Sequence, residues 1–91
     1  MTEQAVSLTV HGLVQGVGFR YTAAQLARQH HLVGFAKNNA DGTVSLVVQG
    51  STAMVANFIE AIKDPPASWI HVTGIDQQII ALQPLEKFDI Y

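Results

Sequence analysis

The sequence of 91 residues contains no cysteine, and this absence excludes disulfide cross-links, a thiolate nucleophile, paired-cysteine metal or redox motifs and iron–sulfur clusters. Charge is also scarce, because charged side chains make up 13% of the chain and five basic residues stand against seven acidic ones. A net charge of −2 does not provide the basic stripe that binding to a phosphate backbone requires for its counterion-release energy. Composition therefore argues against a nucleic acid partner.

No stretch approaches the ~18 consecutive apolar residues of a transmembrane helix. Residues 1–4 have neither the basic region nor the apolar core of a signal peptide, so we expect a cytoplasmic protein with no membrane partner. The residues that are present are 48% hydrophobic, and the mean hydropathy of +0.22 is typical of a folded chain rather than a disordered one. A chain of this length predicts one domain over residues 1–91.

Apolar residues recur at two kinds of spacing along the chain. Val6, Leu8 and Val10 alternate with polar residues, which predicts a half-buried strand. Spacings of three and four residues within 21–31 instead predict a helix with one apolar face. The same patterns predict further strands at 33–38 and 44–48, a second helix at 55–62, a fourth strand that begins at Ile70 and bends at Gly74, and a short last strand at 88–90.

Turn and cap residues separate these elements. Asp41-Gly42 predicts a tight hairpin between the second and third strands. Ser51 or Thr52 is expected to cap the second helix, and Pro65-Pro66 to end it. The order strand, helix, strand, strand, helix, strand (βαββαβ) is that of a ferredoxin-like split βαβ sandwich, an α+β fold with two helices on one face of an antiparallel sheet and the other face open to water. This fold serves many activities, so it does not decide function.

The segment 14–20 (VQGVGFR) combines two glycines and an arginine where the first helix is predicted to begin. A helix N-terminus exposes unpaired N–H groups and the positive end of the helix dipole. Gly16 and Gly18 allow successive N–H groups to converge on one anion, and Arg20 adds a full positive charge. A phosphate site is one interpretation, and a flexible turn with a surface arginine explains the spacing equally well. The segment matches neither the Walker A nor the Rossmann motif, which excludes P-loop nucleotide hydrolysis.

Residues 12–20 (GLVQGVGFR) resemble the first signature of the acylphosphatase family. Residues 34–38 (GFAKN), 41–44 (DGTV) and Gly50 resemble the second, and the resemblance extends over essentially the whole chain. It implies a ferredoxin-like sandwich and a metal-independent hydrolase of acyl phosphates without a cofactor. Inorganic phosphate would be its product and inhibitor. We expect a monomer, because no apolar stripe marks an interface.

The same resemblance implies roles for individual residues. Arg20 resembles the arginine of the family's phosphate cradle, and Asn38 resembles its water-orienting asparagine. The rest of the cradle is then the main chain of Gln15, Gly16, Val17, Gly18 and Phe19. Considered without the resemblance, Asn38 also fits a role in fixing the hairpin, because asparagine is common near turns.

Other polar and aromatic residues have simpler interpretations. We expect Asn39 and Thr43 to form the turn, Tyr21 to pack in the core beneath the loop, and Trp69 to shield the start of the fourth strand. The adjacent pair His30-His31 does not predict a metal site, because neighbouring helix residues point in different directions.

Two functions of other classes remain open at this point. The same topology occurs in RNA-recognition domains, but seven aromatic residues and a negative net charge argue against base stacking on the sheet. A regulatory domain that binds a small anion without turnover would use the same loop.

The sequence departs from the family pattern at three places. His30-His31 stands where Leu-Gly is usual, and histidine tolerates a left-handed helix cap less well than glycine, so a loss of stability is expected. Asp64-Pro65 replaces the usual Gly-Pro. The ending Phe88-Asp89-Ile90-Tyr91 is one residue shorter than the common pattern, which puts in doubt any contact between this ending and Arg20.

Overall fold

The computed structural model describes residues 2–91, and the described chain forms a five-stranded sheet and two helices. In chain order the elements are β1 Glu3–Leu13, α1 Phe19–Gln29, β2 Val33–Asn38, β3 Val44–Ser51, α2 Thr52–Lys63, β4 His71–Ile80 and β5 Phe88–Ile90. The strand order across the sheet is β4-β1-β3-β2-β5. The first four strands pair antiparallel, whereas β5 joins the outer edge of β2 in parallel. The predicted α+β sandwich is confirmed, with a sheet that is mixed rather than wholly antiparallel.

The hydrophobic core lies between the sheet and the two helices. Leu8 and Val10 of β1 point toward the helices and are fully buried. Phe19 from α1, with Phe58 and Ile62 from α2, meets them from the other side of the core. Burial of a side chain of this size contributes about 1.5–3 kcal/mol to folding, so this layer holds the start of α1 firmly against the sheet.

The two ends of α2 follow the signals in the sequence. Ser51 is the N-cap residue, and its Oγ accepts a hydrogen bond from the Met54 N–H at 3.2 Å. The helix ends at Lys63, directly before Asp64 and the two prolines. Neither this helix nor α1 is long and apolar enough to cross a bilayer, and no other helix is present in residues 2–91.

The first helix begins and ends two residues earlier than the predicted range 21–31. At its C-terminal end the Leu32 N–H donates to the Ala27 carbonyl at 2.8 Å, and the His31 N–H donates to the Arg28 carbonyl at 3.1 Å. These two bonds form a Schellman ending, which requires a left-handed residue after the cap. His31 occupies that position with φ of 57°.

The outer face of the sheet is crossed by residues 81–87, which lead from β4 at one edge to β5 at the other. Gln49 of β3 is buried on this face and makes two reciprocal bonds with the crossing segment. Its Nε2 donates to the Gln83 carbonyl at 2.9 Å, and its Oε1 accepts from the Gln83 N–H at 2.8 Å. The prediction that this face is open to water is therefore wrong along the path of the segment.

Gly12 lies at a β-bulge where β1 leads toward α1. His11 pairs with Gly74 and Gly12 pairs with Val72, so Thr73 has no opposite residue, and the irregularity falls beside the predicted bend at Gly74. Gly12 has φ of 126°, and a Cβ at this position would lie 2.0 Å from the His71 carbonyl oxygen. Only glycine permits this close approach of two backbones, and the bulge turns the chain toward the loop that follows.

Candidate active site

The segment 14–18, called the anion loop below, connects β1 to α1 at one end of the sheet. Because α1 runs antiparallel to β1 and β2, its N-terminus lies at the same end as the C-terminal ends of these strands. β5 is parallel to β2 and therefore also ends there. Four chain ends of the sandwich thus converge around the anion loop.

The N-terminus of α1 is not capped by a side chain. Its N-cap residue, Gly18, is left-handed with φ of 79° and makes no side-chain cap bond. Gly16 is also left-handed, with φ of 73°. A Cβ at either glycine would meet nothing within 4 Å, so these glycines are required for their backbone angles and not for space. The first N–H groups of α1 therefore have no side-chain cap and lie at the positive end of the helix dipole, where a negative charge is favoured.

A shallow pocket of about 230 Å³ opens at this helix start. Four of the six residues predicted to bind phosphate line it, namely Gly16, Gly18, Phe19 and Arg20. The other lining residues are Val14, Tyr21 and Ile90. Gln15 and Val17 of the anion loop do not line the pocket.

Arg20 is held in place by the end of β5. Its Nη1 donates to the main-chain oxygen of Tyr91, and the Tyr91 N–H in turn donates to the Ala36 carbonyl of β2 at 2.8 Å. The contact that the shortened ending put in doubt is therefore made by Tyr91. Tyr91 therefore links the Arg20 side chain to Ala36 of β2, two residues before Asn38.

Asn38 is the last residue of β2 and lies on the same face as Ala36, which points toward the helices. Its Oδ1 atom is buried and has no hydrogen-bond donor among residues 2–91. A buried acceptor without a partner costs about 1–3 kcal/mol, so such an atom in a folded protein calls for an explanation.

The hairpin itself is fixed by other residues. Asn39 Nδ2 donates to Thr43 Oγ1 at 2.9 Å and to Ser45 Oγ at 2.8 Å, and the Asn39 N–H donates to the Thr43 carbonyl at 2.9 Å. The predicted turn-forming roles of Asn39 and Thr43 are confirmed. The amide oxygen of Asn38 takes no part in this network.

The side chain of Gln15 ties the anion loop to the hairpin. Its Nε2 donates to the Asn39 carbonyl at 2.7 Å and to the Thr43 carbonyl at 2.9 Å. The sequence predicted only a main-chain contribution of Gln15 to an anion site, and it did not predict these side-chain bonds. The bridge joins the anion loop to the β2–β3 hairpin directly after Asn38.

Comparison with known proteins decides the family. The acylphosphatase family model matches residues 6–90. The chain belongs to the acylphosphatase family. A relative named acylphosphatase from Lactobacillus johnsonii is 44% identical over 77 residues, which cover 85% of each chain, and one from Photobacterium profundum is 36% identical over 90 residues, which cover 99% of each. The match makes this chain an enzyme that hydrolyses acyl phosphates in general.

Solved structures of acylphosphatases superpose closely on this chain. The acylphosphatase from Bacillus subtilis gives a TM-score of 0.92 at 32% identity and covers 97% of this chain and 98% of that one. The acylphosphatase from Coxiella burnetii gives a TM-score of 0.91 at 28% identity, with 98% and 93% covered. The chain also matches 12% of full-length HypF, solved in a phosphate- and nucleotide-bound form, with a TM-score of 0.92 at 29% identity.

Two aromatic residues of this acylphosphatase are largely exposed beside the anion loop. Tyr21 is 60% exposed and lines the pocket, so the prediction that it packs in the core is wrong. Because α1 begins with Phe19 facing the core, a residue two positions later is rotated by about 200° around the helix axis. Trp69 is 62% exposed, and its indole N–H donates to the Val17 carbonyl at 3.0 Å, a contact with the anion loop that the sequence did not suggest.

The charged groups beside the site include Asp41 in the hairpin. The Thr43 hydroxyl donates to Asp41 Oδ1 at 2.6 Å and the Thr43 N–H donates to it at 3.0 Å. These bonds, with the hydroxyl bond contributing most, lower the pKa of the Asp41 carboxyl below its ordinary value of 3.8.

Within residues 2–91, no three His, Asp or Glu side chains group closely enough to hold a metal ion. His30 Nδ1 lies 2.7 Å from the Leu26 carbonyl of its own helix.

Proposed function

We propose that this acylphosphatase cleaves the carboxyl-phosphate bond of acyl phosphates to carboxylate and inorganic phosphate, without a metal or organic cofactor. Arg20 and the main chain of 15–20 hold the phosphate, and Asn38 orients the attacking water. The observation that carries the proposal combines two features. The start of α1 has no side-chain cap and lies beside the guanidinium of Arg20, and β2 ends with the buried amide oxygen of Asn38, which has no partner among the described residues. As part of the same proposal, the enzyme is a cytoplasmic monomer, and its product, inorganic phosphate, inhibits it competitively.

Phosphate binding follows from the charges and donors at the start of α1. The planar guanidinium of Arg20 carries a positive charge and five N–H donors, of which one on Nη1 is given to Tyr91. The remaining donors can grip two phosphate oxygens side by side. The N–H groups of the anion loop and the first turn supply further donors around the same anion.

The leaving group requires little help from the protein. An acyl phosphate expels a carboxylate, whose conjugate acid has a pKa of about 4, so it departs without being protonated. A general acid is therefore dispensable. Phosphoryl transfer of this kind develops charge on the equatorial oxygens with little bond-making, and positioning together with electrostatic stabilisation provides most of the rate.

Asn38 orients the water and does not deprotonate it. An amide is not a base near neutral pH, but its Oδ1 accepts an O–H hydrogen bond and its NH₂ group donates one. Oδ1 has almost no accessible surface, so the side chain must turn slightly to admit the water. The bound water then satisfies this acceptor and directs its lone pair toward phosphorus. The proton released during attack passes to a phosphate oxygen of the substrate.

Hydrolysis of benzoyl phosphate in the presence of EDTA tests the proposal. We expect turnover by the unmodified chain, and a loss of about 10²–10³-fold in kcat for Asn38→Ala and in kcat/KM for Arg20→Ala, the usual cost of removing one preorganised polar contact. Asn57→Ala and Lys63→Gln, which change an asparagine and a cation on α2, are the matched controls and should retain full activity.

Three outcomes would contradict the proposal in different ways. If benzoyl phosphate is hydrolysed no faster with the enzyme and EDTA than in buffer without enzyme, metal-free hydrolysis by this chain is excluded. Equal rates in all variants would exclude the assigned residues. Saturable binding of inorganic phosphate without turnover would instead indicate a regulatory anion-binding domain.

An RNA-binding function has less support from the outer face of the sheet. Of the two aromatic residues on described strands, Phe88 is buried and Phe35 packs against Tyr91 with ring centroids 5.6 Å apart. The crossing segment 81–87 covers part of the same face. A row of free rings for base stacking is therefore missing from the described strands.

A further inference from the structure

We propose that Trp69 is a positioning residue whose indole N–H sets the orientation of the Val17–Gly18 peptide, so that the Gly18 N–H faces the bound phosphate. The inference rests on the proposed function, because it concerns the same phosphate. Trp69 Nε1 donates to the Val17 carbonyl at 3.0 Å across 52 residues of sequence. This bond links the segment before β4 to the anion loop.

The geometry of one peptide unit connects this bond to the pocket. A trans peptide is planar, and its carbonyl and N–H point in opposite directions. No cis peptide bond occurs in the described chain, so fixing the Val17 carbonyl toward Trp69 turns the Gly18 N–H to the opposite side. Gly16 and Gly18 line the pocket, whereas Val17 and Trp69 do not. The indole therefore holds the loop from the side away from the ligand.

The loop needs such an anchor because of its composition. Gly16 and Gly18 are both left-handed, and a peptide next to glycine rotates more freely than one between residues that carry a Cβ. No side chain caps Gly18 to restrict it. The Val17 side chain packs partly against the core and provides one restraint. The Trp69 bond provides the second.

Trp69 is itself held by its neighbour in the chain. Ile70 is buried, and its N–H donates to the Ala67 carbonyl at 3.1 Å. The indole thus extends from a fixed backbone although 62% of the residue is exposed. The indole hydrogen bond is the contact through which this largely exposed residue reaches the anion loop.

Trp69→Phe tests the inference, because it removes the N–H donor and keeps an aromatic ring. We expect the inhibition constant of inorganic phosphate and the KM for benzoyl phosphate to rise together by about three- to tenfold, the range for loss of one neutral hydrogen bond. The contact exists before and during the transition state, so kcat should change by less than about twofold. Leu82→Ala, which trims another exposed apolar side chain, is the control and should leave all three constants unchanged.

A second measurement needs no variant of Trp69. The chain has one tryptophan, so a proton–nitrogen correlation spectrum shows one indole N–H signal. In the unmodified protein this signal should shift on titration with inorganic phosphate, saturate near the inhibition constant, and stay unmoved in Arg20→Ala.

The two proposals fail in distinguishable ways. Phosphate inhibition and KM that remain within twofold of the unmodified values in Trp69→Phe would overturn the positioning role while leaving the hydrolase intact. An indole signal that phosphate does not move would do the same, even if Trp69→Phe does not fold. Absence of any hydrolysis by the unmodified chain would count against the proposed function, and the indole titration would still decide the role of Trp69 in binding.

Discussion

At the scale of single residues, His31 is the one residue other than glycine in the described chain that has a positive φ. A side chain in this conformation brings its Cβ close to the following carbonyl and costs about 1–2 kcal/mol. The Schellman ending of α1 imposes the conformation, since the bonds from His31 and Leu32 back into the helix require it. The strain expected from the sequence at this position thus has a structural cause.

Replacing His31 with glycine should stabilise the fold by about 0.5–1 kcal/mol, because relief of this strain exceeds the extra backbone entropy that glycine has in the unfolded chain. Urea unfolding followed by circular dichroism measures the change. Gln25→Gly, exposed in the middle of α1, is the matched control and should destabilise by about 1 kcal/mol. Equal destabilisation by both substitutions would mean that His31 carries no strain.

The sequence identified the residues that lie near the pocket better than it identified what their side chains do. Gly16, Gly18 and Arg20 were found because glycine angles and a helix start are local properties. The partners of Gln15 and Trp69 were not found, because they lie 24 to 52 residues away and follow no spacing rule. Tyr21 was placed wrongly because Phe19, which lies before the predicted start of the helix, takes the core position in the first turn of α1.

At the scale of elements, the β2–β3 hairpin contains a titrating group with a direct structural role. The pKa of Asp41 is lowered, foremost by the Thr43 hydroxyl, so its ionised form is favoured in the folded state. A lowered carboxyl pKa stabilises the folded state at pH values above 3.8, the ordinary pKa of the group. This stabilisation is lost as the pH falls through the lowered pKa of the folded state. The hairpin should therefore loosen only in strong acid.

Thr43→Val should move the pKa of Asp41 back toward its ordinary value, because the valine keeps the N–H donor and removes the hydroxyl. Carbon-detected NMR titration of the Asp41 carboxyl measures this directly. Thr73→Val, on exposed β4, removes a hydroxyl far from the turn and should leave the titration as it is. An Asp41 titration identical in Thr43→Val and the unmodified chain would show that the hydroxyl bond does not hold the carboxylate.

The elements that the sequence predicted well are those with local signals. The Asp41-Gly42 turn, the Ser51 cap and the strand at 33–38 all depend on residues next to one another. The parallel pairing of β5 with β2 was not predicted, because it depends on the crossing segment and on the Gln49–Gln83 bonds between residues 34 apart. A three-residue strand has too little pattern to reveal its partner.

At the scale of the whole molecule, α1 and β5 are fastened together by the two arginines of the helix. Arg20 binds the main-chain oxygen of Tyr91, and Arg28 Nη2 donates to the Phe88 carbonyl at 3.0 Å. Phe88 is buried, whereas Tyr91 is 63% exposed. The buried residue serves the fold, and the exposed one serves the position of the arginine.

Ending the chain at Ile90 should leave the fold intact but raise the inhibition constant of phosphate and the KM by about five- to tenfold, since Arg20 loses its acceptor. Tyr91→Ala is the matched control, because it removes the ring and keeps the main-chain oxygen, and its effect should be clearly smaller. Inhibition assays with circular dichroism for the fold make the comparison. If the two variants weaken phosphate binding equally, the ring and not the backbone positions Arg20.

The bond between Arg20 and Tyr91 spans 71 positions, so it forms only after two distant parts of the chain have met. A nascent polypeptide that has not yet received its final strand already contains the glycine loop, both helices and the hairpin, but its arginine has no acceptor. If Arg20 binds phosphate as proposed, full affinity for substrate is reached only once β5 has paired with β2.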